Sequence, residues 1–345
     1  MKKSLDEVVF VYVHKFDRKN INIVFLGGSI TEGAGASSQD MCFANKTGEW
    51  LKEVYANYSV TFFNKGVGGT PSSYGLLRFE RDVASYDPDL VFIEFAVNDG
   101  GRDTRRYVES IVRKLIKLPS NPYIIFLYTT NETYSTETKF FEEVAEYYDI
   151  PQIYLKDALK THLNGQNAKE AGYLQDSVHP TDKGYAVYFD EMKKCLSESK
   201  YYRRPKNTEL KLVDECFDIS TEFISSQGTC LKGSWTFGGE GQREYVMGVV
   251  GNSFEFKFYG NVLAFEHGLH KDSAVYDVYV DGVKVGTGDP YLEDFITNQL
   301  VLGFAVYDLT LSEHKVKVEI KNSEIEDRTN KQVLIYNILV GQKSK

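Results

Sequence analysis

The sequence is poor in the features that mark membrane-spanning, exported and metal-binding proteins. Its four cysteines are scattered and form no C-x-x-C pair, which excludes a zinc ribbon or a thioredoxin-type site. No apolar run approaches the roughly 18 residues of a transmembrane helix. Asp6 and Glu7 interrupt the segment where a signal peptide would be apolar. We therefore expect a cytoplasmic protein with free thiols, and a Cys216–Cys230 disulfide is the alternative for an exported chain.

Basic residues are also few. The 40 lysines and arginines are outnumbered by 49 aspartates and glutamates, which leaves a formal charge of −9. Such a chain has no electrostatic footprint for nucleic acid or for an anionic membrane surface. It would also repel a polyanionic substrate. We therefore expect a neutral ligand, and neither nucleic acid nor a membrane as a partner.

The chain of 345 residues is long enough for about two domains of roughly 150 residues. Over residues 20–200, short apolar runs alternate with amphipathic stretches, which predicts an α/β domain with a parallel sheet and helices on both faces. The predicted strands are Ile21–Leu26, Ser59–Phe63, Leu90–Val97 and Tyr123–Tyr128, and the predicted helices are Asn45–Tyr58, Tyr107–Leu118, Thr138–Tyr148 and Thr181–Cys195.

The helical period disappears after a polar segment that begins at Tyr201 and reads YYRRPKN. Beyond it, apolar and polar residues alternate in stretches split by turns, which is typical of half-buried strands. We expect an all-β domain of sandwich or jelly-roll type. The predicted domains are 1–202 and 203–345, and the clearest strands of the second are Ser253–Phe258, Val262–His267, Ala274–Val280 and Val316–Ile320.

A serine follows the first predicted strand directly, in the segment GGSITEG that begins at Gly27. Open α/β sheets bind their ligands at the carboxyl ends of their strands, and glycines leave room for a sharp turn with an exposed Ser29 hydroxyl. The segment also suits a phosphate-binding turn, although it lacks the G-x-G-x-x-G spacing and the lysine of a P-loop.

Two further segments follow strands. The stretch NKGVGGT, which begins at Asn64, places Gly68 and Gly69 where a backbone N–H can approach a ligand, or where the chain simply turns. The stretch AVNDGG, which begins at Ala96, places the Asn98 amide at the same edge of the sheet, or at a helix N-cap.

A fourth segment, DSVHP, precedes the last predicted helix of the first domain. The Asp176 carboxylate stands three residues before His179 and can accept the Nδ1–H of the imidazole, which leaves Nε2 free as a base. A loop hydrogen bond without catalytic meaning is the alternative. No second histidine or cysteine stands near enough to indicate a metal site.

Taken together, the order and placement of the four segments resemble the SGNH (GDSL-type) hydrolase superfamily over residues ~20–200. The resemblance implies a three-layer α/β/α domain with a flavodoxin-like parallel sheet. It also implies that Ser29 is the nucleophile, that Asp176 and His179 complete the triad, and that Ser29, Gly69 and Asn98 supply the oxyanion hole. Gly69 is preferred over Gly68 because it lies five residues after Asn64, the usual spacing of the family.

Two positions depart from the pattern of the superfamily. Gly28 replaces the aspartate before the serine, and Ala96 replaces the glycine that opens the third segment. Both replacements are small residues that remove no catalytic group. They indicate a divergent branch and weaken any inference of a lipid substrate.

The resemblance implies acyl transfer through a serine ester, with no metal and no organic cofactor. The two-domain architecture resembles bacterial esterases that deacetylate hemicellulose oligosaccharides, of the mannan-oligosaccharide acetylesterase type with a C-terminal module similar to CBM35. We therefore expect an acetylated oligosaccharide substrate, with mannan or glucomannan ahead of xylan. A lipid-type esterase, lysophospholipase or thioesterase would use the same residues, and a non-enzymatic glycan-binding protein with a vestigial hydrolase domain is a third hypothesis.

Side chains of the second domain are weaker candidates for sugar contacts. Aromatic rings and imidazoles suit sugars, but in alternating strands they are also ordinary core residues. Trp235, His267 and His270 are the predicted contacts, with Tyr245 and Tyr276 as further candidates. The carboxylates of Asp272, Asp277 and Asp281 could serve calcium or simply be solvated. The sequence leaves the sugar, the acetylated hydroxyl and the oligomeric state open.

Overall fold

The structure is a computed structural model that describes residues 12–100, 104–209, 211–212, 220–224, 230–239, 245–292, 299–325 and 328–342. The chain divides near residue 214 into two compact units, and the short segments Val67–Thr70 and Leu76–Glu80 are assigned to the second unit. The first unit is an α/β domain, and the described part of the chain beyond residue 214 is all-β, as the alternation of apolar residues predicts.

Five parallel strands form the sheet of the first unit, in the order β2-β1-β3-β4-β5. This order is that of the flavodoxin-like doubly wound fold, in which the direction of winding reverses between β1 and β3. Register places Gly27 beside Gly66 on one side and beside Glu94 on the other. The strands are β1 (Asn20–Gly27), β2 (Ser59–Gly66), β3 (Leu90–Glu94), β4 (Tyr123–Leu127) and β5 (Gln152–Ile153).

Amphipathic helices connect these strands and bury one apolar face each against the sheet. In the helix Phe43–Val54, which lies between β1 and β2 in the chain, Gly48 leaves room for the Phe62 ring, because a Cβ there would lie 2.4 Å from a ring carbon. The helices are α1 (Ser29–Glu32), α2 (Phe43–Val54), α3 (Ser72–Leu77), α4 (Phe79–Asp82), α5 (Thr104–Lys117), α6 (Lys139–Tyr148), α7 (Leu155–His162) and α8 (Asp182–Leu196), with single 3-10 turns at Gln39–Met41, Ala84–Tyr86 and Ser199–Tyr201.

The polar segment after Tyr201 is fastened to the first unit. Tyr202 is 8% exposed and its hydroxyl donates to the carbonyl of Leu196. Further along, Lys206 donates its backbone N–H to the carbonyl of Tyr148, at the end of α6. This polar segment therefore packs as part of the α/β domain over these residues.

The second unit contains two antiparallel sheets that enclose one apolar core. One sheet has the order β13-β12-β15-β10-β7 and the other the order β14-β11-β16-β9-β8, with β6 paired to β16. The strands are β6 (Ser220–Ile224), β7 (Cys230–Lys232), β8 (Trp235–Gly238), β9 (Tyr245–Val249), β10 (Ser253–Gly260), β11 (Val262–Leu269), β12 (Val275–Val280), β13 (Val283–Gly288), β14 (Gln299–Val306), β15 (Ser312–Lys321) and β16 (Gln332–Gln342).

Alternating residues of both sheets form this core, as in other sandwiches. Phe254 of β10 packs against Phe265 of β11 with ring centroids 6.3 Å apart, and Val316 and Val318 of β15 are fully buried beside them. The predicted sandwich architecture is thus present.

Cys42 and Cys195 are buried thiols of the first unit. Burial raises the pKa of Cys42 to about 12 and that of Cys195 to about 11, so both stay protonated at neutral pH. Cys230 is exposed on β7, and its alternative disulfide partner Cys216 lies outside the described residues. Within the described ranges, none of the helices is both long and apolar enough to cross a bilayer.

A buried histidine closes one end of the second unit. The Nδ1 of His314 lies 2.7 Å from Oδ2 of Asp281, and its Nε2 lies 2.7 Å from the carbonyl oxygen of Thr310. Burial lowers the pKa of His314, but the hydrogen bonds to Asp281 and Thr310 outweigh it and raise the pKa above its ordinary value. Both ring nitrogens therefore donate in the charged form, which ties β15 to the turn after β12 and to the loop before β15.

We expect this cluster to make the stability of the second unit depend on pH. A pKa raised by folding gives stability that is complete below the unfolded value of about 6.5 and is lost as the pH rises through the higher folded value. In a Trp50→Phe background, Trp235 is the remaining tryptophan and its fluorescence follows urea unfolding of this unit. Above about pH 6.5, the midpoint urea concentration should fall with rising pH, and His314→Gln should flatten that dependence. An unchanged slope in the variant would show that His314 is not the titrating group.

Candidate active site

The candidate site lies at the carboxyl ends of β1 and β3, where the order of the sheet reverses. Strands of an open α/β sheet diverge at this point and leave a crevice for a ligand. β1 ends at Gly27, and Ser29 begins α1 two residues later. Ser29 is 5% exposed, so the serine is nearly buried at this edge of the sheet.

Two glycines allow this tight passage from strand to helix. A Cβ on Gly27 would lie 2.1 Å from Oγ1 of Thr31, and a Cβ on Gly66 would lie 2.0 Å from the backbone nitrogen of Glu32. A side chain at Gly66 is excluded because it would meet backbone atoms of α1, and a side chain at Gly27 would also meet the carbonyl oxygen of Glu94 at 2.8 Å. Asn64 adds a polar contact, since its amide donates to the carbonyl of Thr31 at 2.8 Å.

The structure brings Ser29, His179 and Asp176 into one chain of hydrogen bonds. His179 Nε2 lies 2.9 Å from Ser29 Oγ, and His179 Nδ1 lies 2.7 Å from Asp176 Oδ2. The exposed fraction of the side chain is 25% for His179 and 45% for Asp176. This is the geometry in which an imidazole takes the proton of a serine while a carboxylate orients the ring.

Local hydrogen bonds hold Asp176 ionised and in place. Its second oxygen, Oδ1, accepts the backbone N–H of Val178 at 2.9 Å and that of His179 at 2.8 Å, which closes an Asx turn. Burial raises the pKa of Asp176, but these bonds and the bond from the His179 ring outweigh it and hold the pKa below its ordinary value. The carboxylate therefore favours the tautomer with a proton on Nδ1, which leaves Nε2 facing Ser29 as an acceptor.

Backbone bonds hold the loop that carries these residues. Gln175 donates its backbone N–H to the carbonyl of His179 at 2.9 Å, so the loop closes on itself. Glu132, in the loop after β4, donates its N–H to the carbonyl of Ser177 at 2.8 Å. The catalytic loop is thus attached to the loop that follows β4.

Hydrogen bonds between α8 and the segment around α1 set the distance from Ser29 to His179. Ser37 donates its backbone N–H and its hydroxyl to the two oxygens of Asp182, at 2.9 and 2.6 Å. The Tyr185 hydroxyl lies 3.0 Å from the carbonyl of Ile30 and 2.8 Å from that of Ala34, both next to the serine. The helix that follows the histidine is therefore bonded to the turn that carries the nucleophile.

The second and third sequence segments follow the strands on either side of β1. Gly69 has φ = +69° and is exposed, and Thr70 donates its hydroxyl to the carbonyl of Val67 at 2.6 Å to close this turn. Asn98 lies in a turn after β3, where its backbone N–H donates to the carbonyl of Phe95 at 2.8 Å. Both positions suit donors at the carboxyl edge of the sheet, and their role as oxyanion donors stays a prediction.

Sequence reasoning did not single out two acidic residues that brace these turns. Asp99 accepts the backbone N–H of Ser72 at 3.0 Å, and burial raises its pKa to about 6. Glu94 ends β3 with 1% exposure and is the one charged residue in the apolar run LVFIEFAV. A carboxylate inside a buried strand is unusual without a partner, and this was the signal that could have identified Glu94.

The side chains predicted to touch sugar in the second domain have structural partners. His267 is 1% exposed and its Nδ1 lies 3.0 Å from the Tyr276 hydroxyl, so its position in the interior gives no support to a sugar contact. Burial lowers its pKa to about 4. Trp235 is half-buried and its indole donates to the carbonyl of Lys232. The Nδ1 of His270 accepts the backbone N–H of Asp272. Sugar contacts at Trp235 and His270 remain predictions.

The carboxylates considered for calcium are engaged by other groups. Asp277 forms ion pairs with Lys284 and Lys321, each near 2.7 Å, and Asp281 binds the His314 ring. Asp272 accepts the Thr329 hydroxyl at 2.6 Å. In the part of the chain that the structure describes, no cluster of three histidine, cysteine or acidic side chains could hold a metal ion.

Gly35 provides a test of the link between the two catalytic loops. It has φ = +90°, and a Cβ there would lie 2.3 Å from the carbonyl oxygen of Pro180 and 3.3 Å from Cβ of His179. We expect Gly35→Ala to push His179 away from Ser29 and to slow labelling of Ser29 by a fluorophosphonate about tenfold or more, since a 1 Å misplacement can cost about 10²-fold in rate.

Gly165→Ala is the matched control for this measurement. Gly165 has φ = +76°, a comparable left-handed strain, but a Cβ there would meet no atom within 4 Å. It should lose some stability and keep its labelling rate. Equal labelling rates of the two variants would mean that Gly35 does not set the position of His179.

The comparisons with known proteins agree with this architecture. Residues 25–187 match the model of the GDSL-like Lipase/Acylhydrolase family. No curated protein sequence matches the chain.

Among solved structures, a two-domain esterase (CEX) active on acetylated mannans is similar at 21% sequence identity, with a TM-score of 0.75 over 94% of this chain and 92% of that one. Its structure co-crystallised with mannopentaose gives a TM-score of 0.78 at the same identity and coverage. A catalytic mutant of Axe2, an acetylxylan esterase from Geobacillus stearothermophilus, is 18% identical, covers 53% of this chain and 97% of its own, and has a TM-score of 0.45. The chain shares the fold of the two-domain esterase across both of its units, and its residues 25–187 are similar to the GDSL-like lipase/acylhydrolase family.

Proposed function

We propose that the protein is a serine esterase that removes O-acetyl groups from hemicellulose-derived oligosaccharides, with acetylated mannan or glucomannan ahead of xylan. The observation that carries the esterase chemistry is the continuous chain of hydrogen bonds from Ser29 Oγ through His179 to Asp176, at 2.9 and 2.7 Å. This arrangement needs neither a metal nor an organic cofactor to activate the nucleophile.

The first half of the reaction forms an acyl-enzyme. Ser29 Oγ attacks the ester carbonyl carbon while its proton passes to His179 Nε2, and the ionised Asp176 stabilises the imidazolium through Nδ1–H. The tetrahedral oxyanion lies near the N–H groups of Ser29 and Gly69 and the Asn98 amide. The carbon–oxygen bond to the sugar then breaks, and His179 returns its proton to the departing hydroxyl.

The second half of the reaction releases acetate. Water attacks the acetyl carbonyl of the Ser29 ester, and His179 Nε2 takes a proton from that water. Collapse of the second tetrahedral intermediate breaks the bond to Ser29 Oγ, which regains its proton from His179. His179 therefore acts as base and then as acid in each half of the reaction.

The substrate class rests on charge and on fold. The formal charge of −9 disfavours polyanionic substrates, whereas acetylated mannan and xylan oligosaccharides are uncharged in their backbone. The fold over both units is shared with an esterase active on acetylated mannans, a structure of which was solved with mannopentaose. We extend that substrate class to this chain as the proposal.

We expect Ser29→Ala to abolish acetate release from acetylated manno-oligosaccharides, by about 10⁴-fold or more, because no other group can form the acyl-enzyme. Acetate is measured enzymatically, beside p-nitrophenyl esters from acetyl to decanoyl. Ser59→Ala, an exposed serine at the start of β2, is the control and should keep full activity.

The acyl series separates the proposed function from its alternative. Fast release from one oligosaccharide, with acyl groups beyond acetyl rejected, supports the carbohydrate esterase. Preference for long acyl chains with the oligosaccharides untouched would instead assign a lipid-type esterase, lysophospholipase or thioesterase with the same nucleophile. Activity that survives Ser29→Ala would overturn the catalytic assignment itself.

The oxyanion role of Asn98 makes a separate prediction. Asn98→Ala should lower kcat for p-nitrophenyl acetate by about 10²–10³ while KM changes little, because the lost hydrogen bond forms mainly in the transition state. Asn98→Asp should lose more, since a carboxylate repels the oxyanion. An effect confined to KM would place Asn98 in substrate binding instead.

A further inference from the structure

The side chain of Glu94 lies directly beneath the turn that carries the nucleophile. Glu94 is 1% exposed and ends β3, in register with Gly27 at the end of β1. Its backbone carbonyl accepts the N–H of Gly28 at 3.1 Å, one residue before Ser29. The main chain of Glu94 thus holds the turn at the point where it leaves the sheet.

The Glu94 carboxylate makes two further bonds in different directions. Oε2 accepts the Thr31 hydroxyl at 2.8 Å, and Oε1 accepts the Thr129 hydroxyl at 2.7 Å. Thr31 lies in α1, two residues after Ser29, and Thr129 is fully buried just beyond β4. One side chain therefore connects α1 to the end of a sheet strand, and the absence of a side chain at Gly27 leaves the space for Thr31.

The charge of this carboxylate is not neutralised by an ion pair with any described lysine, arginine or histidine. The titratable groups that face it are Cys42 at the start of α2, and Tyr185 and Tyr188 of α8. Burial raises the pKa of all three, so they remain protonated and uncharged at neutral pH. Burial also raises the pKa of Glu94 to about 7, although the bonds from Thr129 and Thr31 oppose it.

We propose that Glu94 is a positioning residue for the nucleophile, which in its ionised form fastens α1 to the end of β4 and so holds Ser29 Oγ in line with His179. This inference rests on the proposed esterase function. Glu94 itself touches neither Ser29 Oγ nor the ester, and acts through Thr31 and the Gly28 N–H.

Protonation weakens this attachment. An ionised carboxylate accepts from both hydroxyls, whereas a protonated one turns one oxygen into a donor, so that one of the two threonine hydroxyls has to rotate and accept instead. Bonds to an ionised acceptor are also about twice as strong as bonds between neutral groups. Activity should therefore decline below about pH 7 as Glu94 becomes protonated.

Glu94→Gln tests the proposal because glutamine has the same shape, stays neutral, and accepts through one atom only. With p-nitrophenyl acetate at pH 8, we expect kcat to fall about five- to tenfold. This loss is smaller than the roughly 10²-fold loss of rate that a 1 Å misplacement of a reacting group can cause. The ratio of wild-type to variant kcat should shrink toward one as the pH falls to about 6. A structural role alone would give a ratio that does not change with pH.

Three further variants make the result specific. Thr129→Val removes the hydroxyl that donates to Glu94 and should reproduce much of the loss of kcat. Thr129→Ser keeps that hydroxyl and should keep kcat close to the wild-type value. Glu109→Gln is the matched control, because Glu109 of α5 is also fully buried and its carboxylate accepts the Tyr148 hydroxyl at 2.6 Å. It should lower the urea midpoint without changing the pH profile of kcat.

The outcomes separate this inference from the proposed function. If wild type hydrolyses no ester but its Ser29 reacts with a fluorophosphonate, the proposed function fails, and the pH dependence of that labelling in Glu94→Gln still tests the positioning role. If wild type turns over and the ratio stays constant from pH 6 to 8, the positioning role of Glu94 is wrong and the esterase assignment stands.

Discussion

The hydrogen bond between His179 Nε2 and Ser29 Oγ joins residues 150 positions apart, and the chemistry of the site depends on it. Neither partner can reach the other by local structure alone. Ser29 is held by the tight turn between β1 and α1, and His179 by a self-closed loop before α8. Tyr185, which bonds the carbonyls beside Ser29, and Ser37, which bonds Asp182, bring those two structures to one fixed separation. A 2.9 Å contact over such a distance in sequence needs this preorganisation, because proton transfer tolerates little misalignment.

Buried acidic residues in the first unit brace the turns around the nucleophile. A carboxylate in an apolar interior is costly unless its oxygens are hydrogen-bonded, and Glu94 meets that condition with the hydroxyls of Thr31 and Thr129. Asp99 bonds the N–H of Ser72 and so links the turn after β3 to the start of α3. Such groups stabilise less than apolar residues of the same size would, but they specify one arrangement of several loops.

The second unit follows different physics, since its core depends on alternation within strands. Phe265 and His267 of β11 and Tyr276 of β12 are buried inside the sandwich, where the His267 ring bonds the Tyr276 hydroxyl. A half-buried strand places every second residue in the core regardless of its chemical interest, which is why aromatic and imidazole side chains are poor guides to ligand contacts there. Among those predicted contacts, Trp235 and His270 retain partial exposure.

The sequence by itself determined the α/β and all-β classes, the positions of the main strands, and the four segments that carry Ser29, Gly69, Asn98, Asp176 and His179, because periodicity and strand-end motifs are local properties. Element ends were less accurate: the apolar run Leu90–Val97 forms a strand only to Glu94, since Phe95 accepts the N–H groups of Asn98 and Asp99 in a turn. The short β5 and α7 were not predicted. Only the tertiary structure decided that His179 meets Ser29, that Glu94 is bonded beneath the nucleophile, and that His267 is buried, because each depends on contacts between residues far apart in the chain.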